Sequence, residues 1–142
     1  MKIKVSVDIS EQQSRFILSD KKFTAFVGGR GSGKTFILGH RAAGRATNGR
    51  NQLVVGRTYK ELRQTIIPSV INALELYRVP FKQNKNDNLI TLKKSKILFL
   101  SGENPEAIRS YTDYHDGYID EAAWQKLKRI VNKHKVKLMP HV

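Results

Sequence analysis

Residues 28–35 read GGRGSGKT, and this stretch decides the fold. It satisfies G-x-x-x-x-G-K-[ST] at every fixed position, with Gly28, Gly33, Lys34 and Thr35 as the anchors and Gly29, Arg30, Gly31 and Ser32 between them. Glycines let the backbone curl so that successive N–H groups point into one hollow, which suits phosphate oxygens. The apolar run Phe23, Ala25, Phe26 and Val27 comes just before and predicts a buried strand. A helical pattern over 34–48 comes just after. Strand, glycine loop and helix N-terminus in that order are the setting such a loop requires. Lys34 is expected to reach the β and γ phosphates of a nucleotide, and Thr35 to place its hydroxyl on Mg²⁺. The expected ligands are therefore ATP and Mg²⁺.

Outward from the loop, apolar runs alternate with helical patterns. Gly39 and Gly44 weaken the 34–48 helix, so close packing is expected to compensate. Leu53, Val54 and Val55 predict a second strand over 52–56. Tyr59, Leu62, Ile66, Val70, Leu74 and Tyr77 recur every three or four residues, an amphipathic helix. Pro68 inside it is expected to kink that helix or to open a second one. Residues 84–88 form a turn cluster, and 89–92 and 96–100 a β-hairpin around Lys93, Lys94 and Ser95. Asn104 and Pro105 open a short helix, Tyr118 and Ile119 end a strand, 122–134 form a last helix, and 136–139 start another strand. The predicted class is α/β: a P-loop NTPase-type, mostly parallel sheet flanked by helices, with a β-hairpin insertion. The 142 residues suit a single ATPase domain, whole or cut short.

Hydrolysis needs a second half-site, and Asp120-Glu121 supplies it. An acid at a strand end beside the loop can hold Mg²⁺, the role expected of Asp120; the next carboxylate, Glu121, can polarise the attacking water. Neighbours on a strand point to opposite faces, so the two take different tasks. Asp116 and Gly117 break the apolar run that ordinarily precedes such an acid.

Lys plus Arg total 26 against 12 acids, a net charge of +14. Nine basic residues and no acid lie between Lys21 and Lys60, and six more basic residues lie between Lys126 and Lys137. Such a field attracts a polyanion, and its pull falls with salt. The absence of cysteine excludes a disulfide scaffold and a Cys-ligated metal. No apolar run is long enough for a membrane span or a secretion signal, so a soluble chain is expected. His40, His115, His134 and His141 share no metal-type spacing and are expected to be surface residues.

Together these pieces resemble the large terminase subunit of tailed bacteriophages. GGRGSGKT, with Arg as its third residue, is a typical form of that family's phosphate loop. EQQSRF at 11–16 resembles its Q-x-x-F adenine-recognition segment, with Gln13 in register. VVGRT at 54–58 followed by Leu62 and Arg63 resembles its second strand and helix. NLITLKKSKILFLSGE at 88–103, then NPEAIRS and GYIDEAAW, resemble the region leading into its Walker B acids. The resemblance implies an ATPase domain that drives double-stranded DNA into a capsid, working as a ring of subunits on the portal with a small terminase subunit. It implies that Lys34, Thr35, Asp120 and Glu121 carry hydrolysis, that Arg30 stabilises the γ-phosphate, and that Gln13 contacts adenine. It also implies the cytoplasm of an infected or lysogenic bacterial host. The chain departs from the family in its length, in lacking a Ser/Thr-x-Asn-Pro coupling segment after Glu121, and in lacking the acidic cluster of the nuclease domain. Cleavage of DNA is not expected of it.

Two other readings of the residues remain beside the motor. One is a different P-loop ATPase of helicase type, whose later motifs would follow residue 142. The other is a non-catalytic module that binds nucleotide or nucleic acid.

Overall fold

The computed structural model describes residues 11–18, 33–103 and 113–119. Helix α1 spans Glu11–Leu18 and α2 spans Lys34–Thr47. Strand β1 is Gln52–Gly56, followed by a short helix α3, Tyr59–Glu61, a π-helical segment Leu62–Ile66, and α4, Ile67–Leu76. Strands β2 (Lys82–Asn84), β3 (Leu89–Thr91), β4 (Lys96–Ser101) and β5 (Asp116–Ile119) complete the described elements. The five strands form one sheet in the order β2-β3-β4-β1-β5. β1 lies between β4 and β5 and runs parallel to both, with Val54 opposite Phe99 and Tyr118. β3 is antiparallel to both β2 and β4. The expected hairpin is thus built into the sheet: its second strand is the parallel neighbour of β1.

Parallel strands covered on both faces read as unbroken apolar runs, and all five residues of β1 are buried. One face carries Val54, Ile90, Ile97, Phe99 and Tyr118 and packs against Ile37, Ala42, Ala43 and Ala46 of α2 and Leu62, Ile66, Val70 and Leu74 of the following helical run. The other carries Leu53, Val55, Leu98 and Leu100, with Leu89, Tyr114 and Ile119 against them. β2 was not foreseen in the sequence. All three of its residues are polar and exposed, so no apolar alternation marks it, and only pairing to β3 makes it a strand.

Pro68 opens a second helix, α4, in whose first turn it lies, one of the two outcomes expected of it. A proline has no N–H and its ring crowds the carbonyl four residues earlier. The chain answers by widening the turn before it, so that the Ile67 N–H reaches the Leu62 carbonyl, five residues back, and Pro68 enters the first turn of α4. Thr58 caps the start of this run, its side-chain oxygen accepting from the Glu61 N–H at 3.1 Å.

The two glycines of α2 behave differently. At Gly39 a Cβ would lie 2.8 Å from the Ser69 backbone, so α4 approaches there as closely as glycine permits; at Gly44 a Cβ would meet nothing within 4 Å, and no packing repays its low helix propensity. α2 ends in a Schellman turn. Gly49 takes φ 85°, its N–H reaches the Ala46 carbonyl at 2.9 Å, and the Arg50 N–H reaches the Arg45 carbonyl at 3.2 Å.

His40 is not a surface residue. It is 6% exposed, its Nδ1 lies 2.6 Å from the Tyr77 hydroxyl, and its ring meets Phe36 edge-on at 4.4 Å. Burial pushes the imidazole below its ordinary pKa. The unfolded chain therefore takes up this proton more readily than the folded one. The contribution is complete above pH about 6.5 and is lost as pH falls through the lower folded value. The melting temperature of the parent should drop between pH 7 and 5, and His40→Phe should flatten that slope. Equal slopes for the two proteins would remove His40 as the source.

Candidate functional site at the carboxyl end of the sheet

Gly33 is the N-cap of α2. It takes the left-handed conformation, φ 77° and ψ 21°, which glycine adopts without steric penalty, and its carbonyl accepts from the Ile37 N–H at 3.0 Å. Having no side chain, it leaves the first backbone donors of α2 to another acceptor, and the first turn holds no acidic residue. An anion is favoured there by those donors and by the helix dipole. Lys34 opens the helix half-buried, and Thr35 beside it is exposed. The Thr35 carbonyl accepts from the Ser69 hydroxyl at 2.9 Å.

The far end of α2 decides where this turn points. Asp116, at the start of β5, has a side chain with no exposure. Its carboxylate accepts from Arg50 Nε at 2.9 Å and Nη2 at 3.2 Å, from Gln52 Nε2 at 2.8 Å, and from Arg45 Nη1 at 3.5 Å. The Tyr118 hydroxyl donates to Gln52 Oε1 at 2.7 Å, and Arg41 lies over the Tyr118 ring at 4.9 Å. The Ser95 hydroxyl holds the Ala46 carbonyl at 2.6 Å. These contacts pin the last turn of α2 to the amino ends of β1, β4 and β5. A 14-residue helix rises about 21 Å and a five-residue strand about 17 Å. The Gly33–Thr35 turn therefore lies at the carboxyl ends of the strands, where ligands of open parallel sheets sit.

The same end is laced by backbone contacts. The Gly102 N–H donates to the Gly56 carbonyl at 2.8 Å, and the Ser101 hydroxyl to the Arg57 carbonyl at 3.3 Å. β5 ends at Ile119, one residue before Asp120. Of the sequence-derived site, Gly33, Lys34 and Thr35 lie together on the first turn of α2, and Gln13 lies on α1, a helix whose Ile17 packs against the core. Gly28, Gly29, Arg30, Gly31, Ser32, Asp120 and Glu121 lie outside the described residues, as do the expected strand at 23–27, the helix at 104 and everything after residue 119. Among the described residues no group of His, Asp and Glu is placed to hold a metal by itself, and no helix is long and apolar enough to cross a membrane.

Sequence reasoning missed two supports of this site. Asp116 looked like a flaw in an apolar strand, yet it is the acceptor on which three side chains converge. Burial would raise its pKa, but the hydrogen bonds from Arg50 and Gln52 and the charges of Arg45 and Arg50 hold it below the ordinary carboxylate value. The available signal was the pair Arg45 and Arg50 in an acid-free stretch. Arg41, 1% exposed, and Arg45, with a side chain 19% exposed, are drawn inward, and the half-exposed Arg50 turns its guanidinium to Asp116, so three of the nine basic residues between Lys21 and Lys60 are engaged within the fold. Ser69 is the other support, and Gly39 was its signal.

A family model described as terminase large subunit, T4likevirus-type, N-terminal, matches residues 25–135. The fold is similar to that of the large terminase from a thermophilic bacteriophage, with a TM-score of 0.67 and 19% identity over 87% of this chain and 36% of that one. A structure of the same phage terminase in complex with ADP gives a TM-score of 0.62 and 19% identity over 86% and 35% of the two chains. At that identity the likeness concerns the fold. The chain spans about a third of the length of those terminases. No curated protein matches it.

Proposed function

Since this chain belongs to the T4likevirus-type family of terminase large subunits, in their N-terminal part, we propose that it is the ATP-binding and ATP-hydrolysing motor domain that powers packaging of double-stranded DNA into a capsid. The observation that carries the reading is the placement of Gly33, Lys34 and Thr35 on a helix N-terminus at the carboxyl end of the parallel sheet, with β5 ending one residue before Asp120. The ADP bound by the thermophilic phage's terminase supports a nucleotide as the ligand.

In this reading the amides of residues 28–33 and the Lys34 ammonium bind the β and γ phosphates. Gln13 contacts adenine, and Arg30 faces the charge that spreads over the phosphoryl oxygens as the terminal bond breaks. Glu121 accepts a hydrogen bond from the attacking water, orients it in line and polarises it. The exposed Thr35 hydroxyl and the Asp120 carboxylate form an all-oxygen donor set, which fits a hard divalent cation that shares phosphate oxygens. Mg²⁺ held there supplies charge neutralisation between the phosphates. Double-stranded DNA, the capsid portal and a small terminase subunit are the partners of this reading, and a ring of copies is its working form. The net charge of +14 supports the DNA partner.

The test measures ATP binding and phosphate release with Mg²⁺, with and without double-stranded DNA, for the parent and Glu121→Gln. Glu121→Gln should bind ATP like the parent and lose about a hundredfold or more in turnover. DNA affinity should fall steeply between low and physiological salt. Failure of the parent to bind ATP would sink the nucleotide site. Tight binding without turnover by the parent would replace the motor with a nucleotide-binding module.

A further inference from the structure

Ser69 follows Pro68 in the first turn of α4, and its hydroxyl donates to the Thr35 carbonyl at 2.9 Å. The two helices touch at Gly39, where a Cβ would stand 2.5 Å from Ser69 Oγ and 2.8 Å from the Ser69 carbonyl carbon and oxygen. Gly39 is four residues beyond Thr35, so its own N–H is the helical partner of the same carbonyl. The missing side chain at Gly39 opens the slot through which a second donor reaches that oxygen. No other residue type at 39 leaves room for it. Ser69 is set against the slot by the widened turn Leu62–Ile66, which begins six residues after the carboxyl end of β1.

Resting on the reading of Thr35 as a metal ligand, we infer that Ser69 is a positioning residue of the nucleotide site. It clamps the Thr35 backbone from α4 and so fixes the direction of the Thr35 hydroxyl toward the divalent cation. The serine touches neither nucleotide nor metal. Its effect is on the ordering of the first turn of α2, and the quantity it governs is the affinity for the cation in the nucleotide complex, rather than affinity for the nucleotide itself.

The test uses the full chain and compares the parent with Ser69→Ala, Thr35→Ala and Val70→Ala. Val70 is a buried neighbour on the same helix and serves as the packing control. In Ser69→Ala the Mg²⁺ concentration for half-maximal phosphate release should rise about 3- to 10-fold, the worth of one hydrogen bond, while ATP affinity measured without Mg²⁺ stays within about twofold. Amide exchange over 35–39 in the nucleotide-free chain should quicken by a similar factor. Val70→Ala should lower the melting temperature and leave both the Mg²⁺ midpoint and that exchange unchanged. An unmoved midpoint in Ser69→Ala, or an equal shift in Val70→Ala, overturns the role of Ser69 while Thr35→Ala still shifts the midpoint. If Thr35→Ala leaves the midpoint in place, the metal reading fails, and the proposal with it.

Discussion

An Asp116→Asn variant is expected to melt on the order of 10 to 20 °C below the parent. The reasoning starts from burial. The Asp116 side chain has no exposure, and it is the shared acceptor for Arg50, Gln52 and Arg45. Removing one partner of a buried ion pair costs about 3–5 kcal/mol, because the remaining charges keep their desolvation penalty and lose its offset. Asparagine fills the same space, so no cavity adds to the effect. Its amide turns one donor toward three donors, which adds a mismatch. Arg50→Ala should cost less, since its side chain is 43% exposed and the solvent takes over part of its role. The pH dependence follows from the same carboxylate. Its folded pKa is depressed, so the folded chain releases the proton more readily than the unfolded chain. This stabilisation is complete above pH about 4 and is lost as pH falls through the folded value. Thermal melts of the parent and Asp116→Asn at pH 7 and pH 3 check both statements. The gap between the two proteins should narrow at pH 3. A melting temperature within about 3 °C of the parent at pH 7, less than 1 kcal/mol in a chain this size, would show that the network contributes little.

Lys34→Ala should abolish measurable ATP binding and with it at least about a hundredfold of turnover. Lys34 is the first residue of α2, half-buried, at the end of the sheet where the helix dipole and the first backbone donors already favour an anion. Those donors are partial charges fixed in place. The ammonium is a full charge on a long stem, able to follow the phosphates as the terminal one departs. Alanine is a good helix former, so α2 should persist and the far-ultraviolet circular dichroism should match the parent. Titration with a fluorescent ATP analogue and a phosphate-release assay check this result. A variant that binds ATP as the parent does would remove the phosphate cradle from Gly33 and Lys34, and the family's fold would then serve another purpose in this chain.

The strands β1 and β4, the hairpin and the helix α2 could be read along the chain because their signals are local. Apolar runs of four or five residues, a helical spacing and a glycine-rich loop each declare themselves within about ten residues. The candidate site was read for the same reason: phosphate chemistry demands residue types at fixed spacing, and of those residues the structure puts Gly33, Lys34 and Thr35 together at the start of α2. His40, Asp116 and Ser69 were not legible. Their partners Tyr77, Arg50 and Thr35 stand 37, 66 and 34 residues away. β2 was missed because pairing alone makes it a strand, and the widened turn before Pro68 was not foreseen, although the proline opens the second helix that was expected.

By itself the sequence determined the class of the fold and the family, and it supplied the ligand and the turn on which the proposed function rests, since backbone preference and hydrophobic period act between near neighbours. The tertiary structure alone decided which end of the sheet that turn faces, which arginines turn inward, and which side chain braces Thr35. Those outcomes depend on burial and on contacts between distant segments, whose energies exist only once the helices and strands are packed together.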